Sequence, residues 1–219
     1  VAALLLIVAA GSGTRLGHAE PKALVPLAGR PLLEWTLDAF APVAIARTVV
    51  SAPADRLADF ERIVGARARV VAGGETRSAS VRRGVEALGA AADDVVAVHD
   101  AARPFLTAEE IRAVLRAAEE TGAAIAATPV VDTVKRVSGD RIVETLDRSE
   151  LRGAATPQAF RYSVLREALA SGEEATDEAA LCERLGQAVA VVPVSRFSLK
   201  ITTPEDLELA EAIAARRRP

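Results

Sequence analysis

The sequence predicts an α/β fold: a mostly parallel sheet flanked by helices, with one β-hairpin protruding from it. Three observations predict it. Short continuous runs of Val, Ile, Leu and Ala, such as Val1 to Ala10, have strand length and the all-apolar character of strands buried on both faces. Segments with apolar residues at helical spacing alternate with these runs across short connections, the order that builds parallel crossovers. One segment, residues 132 to 148, breaks the rhythm with two extended halves around Ser138-Gly139-Asp140.

Each element follows in turn. After the first strand and its glycine-containing loop, "PLLEWTLDAF" reads as a helix with Pro31 at its start, and "ARTVVSAP" as a second strand closed by Pro53. "ARVVAGG" is the third strand, and "SVRRGVEAL" a helix with Val81, Val85 and Leu88 on one face. "DDVVAVHDAARP" runs from a fourth strand into a loop. Thr107 and Glu110 have the spacing of a capping box, opening a helix whose Ile111, Val114, Leu115 and Ala118 form a stripe. "AAIAATPV" is the fifth strand. Beyond the hairpin come helices near 161 to 171 and 176 to 185, a strand at "AVAVVPV", and a last helix opened by Thr203-Pro204. A two-stranded ribbon is marginal alone, so the hairpin is expected to pack against another subunit.

Composition narrows the function. The 219 residues, 50% of them apolar, fit one domain over 1–219 with an arm at about 132–152. Charged residues total 26% and nearly balance at a net −3, which disfavours duplex DNA and anionic membranes as general partners. The one cysteine, Cys182, has no disulfide partner within the chain, and its apolar-periodic setting reads as a buried thiol. No Cys/His cluster offers a zinc site. Val1 to Ala10 is too short to span a bilayer, which takes about 20 residues. No basic segment precedes it, so a secretory signal is disfavoured.

The loop in "LLLIVAAGSGTRLG" decides the class. Gly11 and Gly13 let the backbone turn after a strand and bring amides close to a phosphate. A dinucleotide loop would place its third glycine three residues after the second and an acid at the end of strand two; here Gly17 comes four residues after Gly13, and strand two ends at Ser51. No Gly-Lys-Ser/Thr closes a Walker loop either. The loop carries cations instead. Arg15 lies within it and Lys22 follows in "EPKALVPLAGRP", one of only three lysines in the chain. Two fixed cations beside a glycine turn suit an attack on a polyphosphate, where charge builds on the attacked phosphorus and the departing pyrophosphate.

"VAAGSGTRLG" with "PKAL" resembles the signature of the sugar-phosphate nucleotidyltransferases. "HDAARP", "VVDTVKR", "TPQAF", "TDEA" and "LKITTPEDL", in that order from residue 4 to about 210, resemble the 2-C-methyl-D-erythritol 4-phosphate cytidylyltransferases in particular. The resemblance implies a Rossmann-like fold. It also implies a reaction, set in the reducing cytoplasm that the lone cysteine fits: the acceptor's phosphate attacks the α-phosphorus of CTP, with Mg2+ or another divalent cation, giving 4-diphosphocytidyl-2-C-methyl-D-erythritol and pyrophosphate for non-mevalonate isoprenoid synthesis. A homodimer that exchanges its arms is implied as well.

Site residues carry over one at a time. Arg15 and Lys22 fall on the transition-state cations; Ala9, Ala10 and Gly11 on backbone that meets the nucleotide; Gly74, Glu75, Arg77 and Ser80 on the cytosine-reading loop. Glu75 stands where an aspartate is expected, and Val8 where a proline is usual. Asp100, Arg103 and Lys200 fall on acceptor-binding positions, and Thr133 and Arg148 on arm positions that reach the partner's site. Whether Asp100 orients acceptor hydroxyls or lies near the metal stays open. His99 reads as a packed neighbour and not a base, and Thr176 as a plain helix cap. Ribitol 5-phosphate cytidylyltransferase is the near alternative. A nucleotide-binding protein without turnover is the distant one, and Arg15, Lys22 and Lys200 together argue against it.

Overall fold

The computed structural model describes all residues except Ser12, Thr14, Arg15, His18, Ala19, Arg218 and Pro219. The apolar run opens the fold as strand β1 (Ala3–Val8). A short 3-10 turn at Lys22–Leu24 and a small ribbon, β2 (Pro26–Leu27) with β3 (Arg30–Pro31), lead to helix α1 (Leu32–Phe40). Then come β4 (Arg47–Ala52), α2 (Leu57–Val64), β5 (Arg69–Ala72), α3 (Arg77–Leu88) and β6 (Val95–Asp100). Helix α4 (Ala108–Thr121) and β7 (Ala123–Pro129) precede the hairpin, β8 (Lys135–Ser138) with β9 (Arg141–Thr145). The chain closes through β10 (Arg152–Arg161), α5 (Tyr162–Ala170), α6 (Glu178–Arg184), β11 (Ala190–Pro193) and α7 (Pro204–Arg217).

The main sheet has seven strands in the order β11-β7-β10-β6-β1-β4-β5. β1 pairs in parallel with β4 and β6, so Leu6 sits between Val49 and Val98. That central place explains its composition. Leu4 to Ile7 are at most 1% exposed, and alternate residues feed opposite faces. Leu5 and Ile7 pack with Leu33, Phe40, Phe60, Ile111 and Val114, the inner sides of α1, α2 and α4. Leu4 and Leu6 pack with Val81, Val85, Leu88, Leu165 and Cys182 from α3, α5 and α6. The α3 contact needs a glycine in mid-helix, because a Cβ on Gly84 would lie 2.3 Å from Leu6 Cδ1.

The strongest local signals are realised in the structure. Thr107 Oγ1 accepts the Glu110 N–H at 3.2 Å while Glu110 accepts the Thr107 N–H at 2.8 Å, completing the capping box. The hairpin turns at Gly139, whose φ is +57°. At α7, Thr203 Oγ1 accepts the Asp206 N–H at 3.3 Å.

Elsewhere the structure adds or corrects. Strand β10 runs antiparallel to both β6 and β7, so the sheet is mixed in a region where the residues gave no strand reading. Its register shifts between Ala154 and Gln158, the place where a central strand can hold Pro157 without losing a ladder hydrogen bond. Helix α2 fills the gap between the second and third predicted strands. The α6 cap is Asp177 and not Thr176: Asp177 Oδ1 accepts the Ala180 N–H at 3.0 Å. Among the described residues no helix is long and apolar enough to cross a membrane.

Candidate active site

A cavity of about 460 Å³ opens beyond the carboxyl ends of β1 and β6. Parallel sheets bind ligands there, because the connections from neighbouring strands diverge to opposite sides. Its wall is built from Ala9–Gly11 after β1, Lys22, Gly74–Arg77 and Ser80 after β5, Asp100–Ala102 after β6, and Lys200 before α7.

The backbone of the first loop is anchored at two points. Ala9 N–H donates to the Ser51 carbonyl at 2.9 Å, and Lys22 N–H donates to the Gly11 carbonyl at 3.2 Å, which brings the lysine back beside the glycine turn. The loop after β5 lies directly against it. A Cβ on Gly73 would meet Ala10 Cβ at 2.8 Å, and one on Gly74 would meet Ala79 Cβ at 2.4 Å. Ser80 holds that loop's shape: its Oγ accepts the Gly74 N–H at 3.0 Å and donates to the Thr76 carbonyl at 2.9 Å. The hydroxyl is therefore already engaged at the start of α3. Arg83 Nη1 donates to the Gly73 carbonyl and ties the loop from below.

Charges gather at the other wall. Lys200 Nζ lies 2.6 Å from Asp100 Oδ2, and Arg77 Nη2 lies 3.7 Å from Asp100 Oδ1. Burial pushes the Asp100 carboxyl up, but Lys200 and Arg77 outweigh it and hold the group below its ordinary value. Arg77 also donates bidentately to Glu178, at 2.6 and 3.0 Å. Burial lifts the Glu178 carboxyl above its usual value despite that partner.

A satisfied relay fixes Asp100 from beneath. Asp100 N–H donates to Thr156 Oγ1 at 3.0 Å, and the Thr156 hydroxyl contacts His99 Nδ1 at 3.0 Å. His99 Nε2 faces the Arg103 carbonyl at 3.1 Å. A carbonyl only accepts, so Nε2 carries the proton and Nδ1 accepts from Thr156. Burial lowers the imidazole to about 4, so His99 is neutral near pH 7. It is a strut and not a general base. Burial also pushes the Cys182 thiol up to about 12, which leaves it inert.

The structure thus gathers Ala9, Ala10, Gly11, Lys22, Gly74, Glu75, Arg77, Ser80, Asp100 and Lys200 around one cavity. Arg103 stands behind the wall, where its Nη1 donates to the Ser198 carbonyl at 2.9 Å and so braces the segment carrying Lys200. Thr133 and Arg148 lie on the exposed arm, outside this chain's cavity lining, with Arg148 donating to the Val131 carbonyl. Arg15 lies outside the described residues. Sequence reasoning missed Glu178 as the partner that holds Arg77. Its signal was present in "TDEA", where an acid directly follows a helix cap.

Comparison with known proteins gives the family. A family model described as 2-C-methyl-D-erythritol 4-phosphate cytidylyltransferase matches residues 3–216. A protein of that name from Prochlorococcus marinus is 46% identical over 222 residues, covering 97% of this chain and 98% of its own. Another, from Deinococcus radiodurans, is 46% identical over 212 residues, covering 95% and 88%. The crystal structure of 2-C-methyl-D-erythritol 4-phosphate cytidylyltransferase from Thermus thermophilus superposes with a TM-score of 0.81 at 39% identity, covering 98% of this chain and 100% of that one. A 4-diphosphocytidyl-2C-methyl-D-erythritol synthase structure from Anaerococcus prevotii reaches 0.86 at 30% identity, covering 98% and 99%. With a cavity of this composition and a family match over nearly its whole length, the chain belongs to the 2-C-methyl-D-erythritol 4-phosphate cytidylyltransferase family.

Proposed function

We propose that the cavity binds CTP against the Ala9–Gly11 and Gly74–Ser80 loops and receives 2-C-methyl-D-erythritol 4-phosphate on the Asp100 and Lys200 side. The chain is a nucleotidyltransferase that moves CMP from CTP to this acceptor and releases pyrophosphate. The observation carrying the assignment of ends is the division of the cavity wall. The loops after β1 and β5 supply mostly small residues, Ala9, Ala10, Gly11, Gly74 and Ser80, with Lys22 beside the glycine turn, whereas the end of β6 and the segment before α7 supply the Asp100–Lys200 pair.

The chemistry needs little from a base. The acceptor phosphate is already anionic near neutral pH, so the protein's task is to align it and to offset charge on the attacked phosphorus and the leaving pyrophosphate. Lys22 and Arg15 supply that charge at the nucleotide. Lys200 grips the incoming phosphate, and Asp100 orients Lys200 and the acceptor's hydroxyls. A divalent cation fits this site only as a companion of CTP. Among the described residues no cluster of three or more His, Cys, Asp or Glu side chains offers a cage, and Mg2+ is commonly held by one or two carboxylates with substrate phosphates. Asp100 is the carboxylate placed to assist; when bound, the ion neutralises phosphate oxygens.

The arm supports a homodimer. Val137, Ile142 and Val143 are 59%, 63% and 58% exposed, an apolar ribbon whose burial requires another surface. By the family resemblance, Arg148 and Thr133 of one copy would serve the acceptor end of the other's cavity, where Arg148 would pair with phosphate. One domain over 1–219 and a cytoplasmic location complete the reading; a lone buried thiol accords with a reducing compartment.

Pyrophosphate release from CTP and Mg2+, with methylerythritol phosphate and ribitol phosphate in parallel, tests it. Release with the first alone is expected. Release with ribitol phosphate would overturn the acceptor, and release with neither would overturn the enzymatic reading.

A further inference from the structure

Glu178 lies outside every role given above, yet it is 1% exposed and both its oxygens are spent on Arg77. A buried ion pair adds little stability over apolar side chains of similar volume, so stability is a poor reason for its presence. Its geometry suggests another. A guanidinium gripped by two parallel hydrogen bonds loses its freedom to rotate, and the donors left over point in a fixed direction. Here Nη2, one of the two nitrogens that Glu178 holds, also lies 3.7 Å from Asp100 Oδ1 at the cavity wall.

The same segment takes hold of the neighbouring residue. Glu174 Oε1 accepts from Thr76 Oγ1 at 2.9 Å, and Thr76 is the cap of α3. Two acids, at 174 and 178, therefore grip two consecutive residues of the loop that closes one end of the cavity. Neither acid lines that cavity.

We propose that Glu178 is a positioning residue for nucleotide binding: it holds Arg77 at the cavity wall in one orientation and offsets its charge. The base end is thereby kept electrically quiet, and the triphosphate is drawn to the lysine end. This rests on the reading of the cavity as a CTP site.

The test is calorimetric titration of CTP and Mg2+ in the absence of acceptor, with thermal melting and kcat measured alongside. The proteins are wild type, Glu178→Gln, and the double variant Arg77→Met/Glu178→Met. Glu178→Gln should weaken CTP binding by about tenfold or more, the scale of disturbing a buried charge pair, while kcat at saturation stays within about threefold. The double variant leaves no orphaned charge, so its Tm should return to the wild-type value while CTP binding stays weak. If Glu178→Gln fails to fold, the double variant still tests the proposal, because wild-type CTP affinity without either side chain would overturn it. CTP affinity within about twofold of wild type in either variant would overturn the proposal. Wild-type protein that binds no CTP would instead overturn the functional reading.

Discussion

Replacing Lys200 with methionine keeps the length of the side chain and removes its charge, and the structure sets the size of the effect. Lys200 Nζ is 2.6 Å from Asp100 Oδ2, with the two side chains 37% and 11% exposed. Breaking a fully buried pair costs about 3–5 kcal/mol. More than a third of the lysine is in water, so screening brings the figure down to about 1–2 kcal/mol. For a chain of this size that is a fall in Tm of roughly 2–8 °C near neutral pH. The pH dependence has a definite sign. Asp100 is held below its ordinary value in the fold, so its contribution is fully present above the unfolded value and is lost as pH falls through the folded one. The gap between wild type and Lys200→Met should thus stay constant from about pH 8 to 5 and close below about pH 4. Thermal melts across that range measure it. A gap that persists undiminished to about pH 3, or none at pH 7, would refute the electrostatic account. In the same protein kcat/KM should drop by at least about 100-fold, the scale of losing one charge-stabilising donor; near-normal turnover would remove Lys200 from the acceptor site.

Lys22→Ala should lower kcat by at least about 100-fold with an unchanged far-UV spectrum, since it strips one transition-state cation; retention of wild-type turnover would reject that role. Mixing Lys22→Ala with Arg148→Glu should restore part of the activity through one intact site per mixed dimer, and a verified heterodimer without recovery would show that the arms are not shared. Gly74→Ala places a Cβ 2.4 Å from Ala79 Cβ and forces the loop off α3. Its KM for CTP should rise by about tenfold with kcat little changed, and an unaltered KM would show that the loop does not touch the nucleotide.

Much of this architecture was legible because local and long-range signals agreed. β1 is all apolar because it is central, and α4 carries its own start signal in Thr107 and Glu110. The cavity residues from Ala9 to Lys200 were found as motifs, being clustered at strand ends. What failed to show had physical reasons. β10 contains Gly153 and Pro157 among several alanines, a composition that argues against a central strand, and only the register shift beside Ala154 makes room for it. α2 has Leu57, Phe60 and Val64 at helical spacing, but the charges between them obscure the stripe. Arg103 was legible as a residue near the site, yet no spacing rule could reveal that it braces the Ser198 carbonyl across 95 positions of sequence. Glu178 was hidden for the same reason: its partner Arg77 lies 101 positions away.

The strand that sequence reasoning missed is also the one that joins the two halves of the proposed site. β10 runs against β7 from Arg152 opposite Pro129 to Phe160 opposite Ala123, so the chain leaves the sheet at the end of β7 and re-enters beside it. An excursion between antiparallel neighbours is the simplest way to send a hairpin outward without interrupting the sheet. Shortly after re-entry, the same strand presents Thr156 to the Asp100 amide and to His99. One strand therefore anchors the arm that carries Arg148 and fixes the carboxylate that holds Lys200. Thr156 sits within the Ala154–Gln158 irregularity, so the break in the ladder that accommodates Pro157 also sets the residue that holds the Asp100 amide.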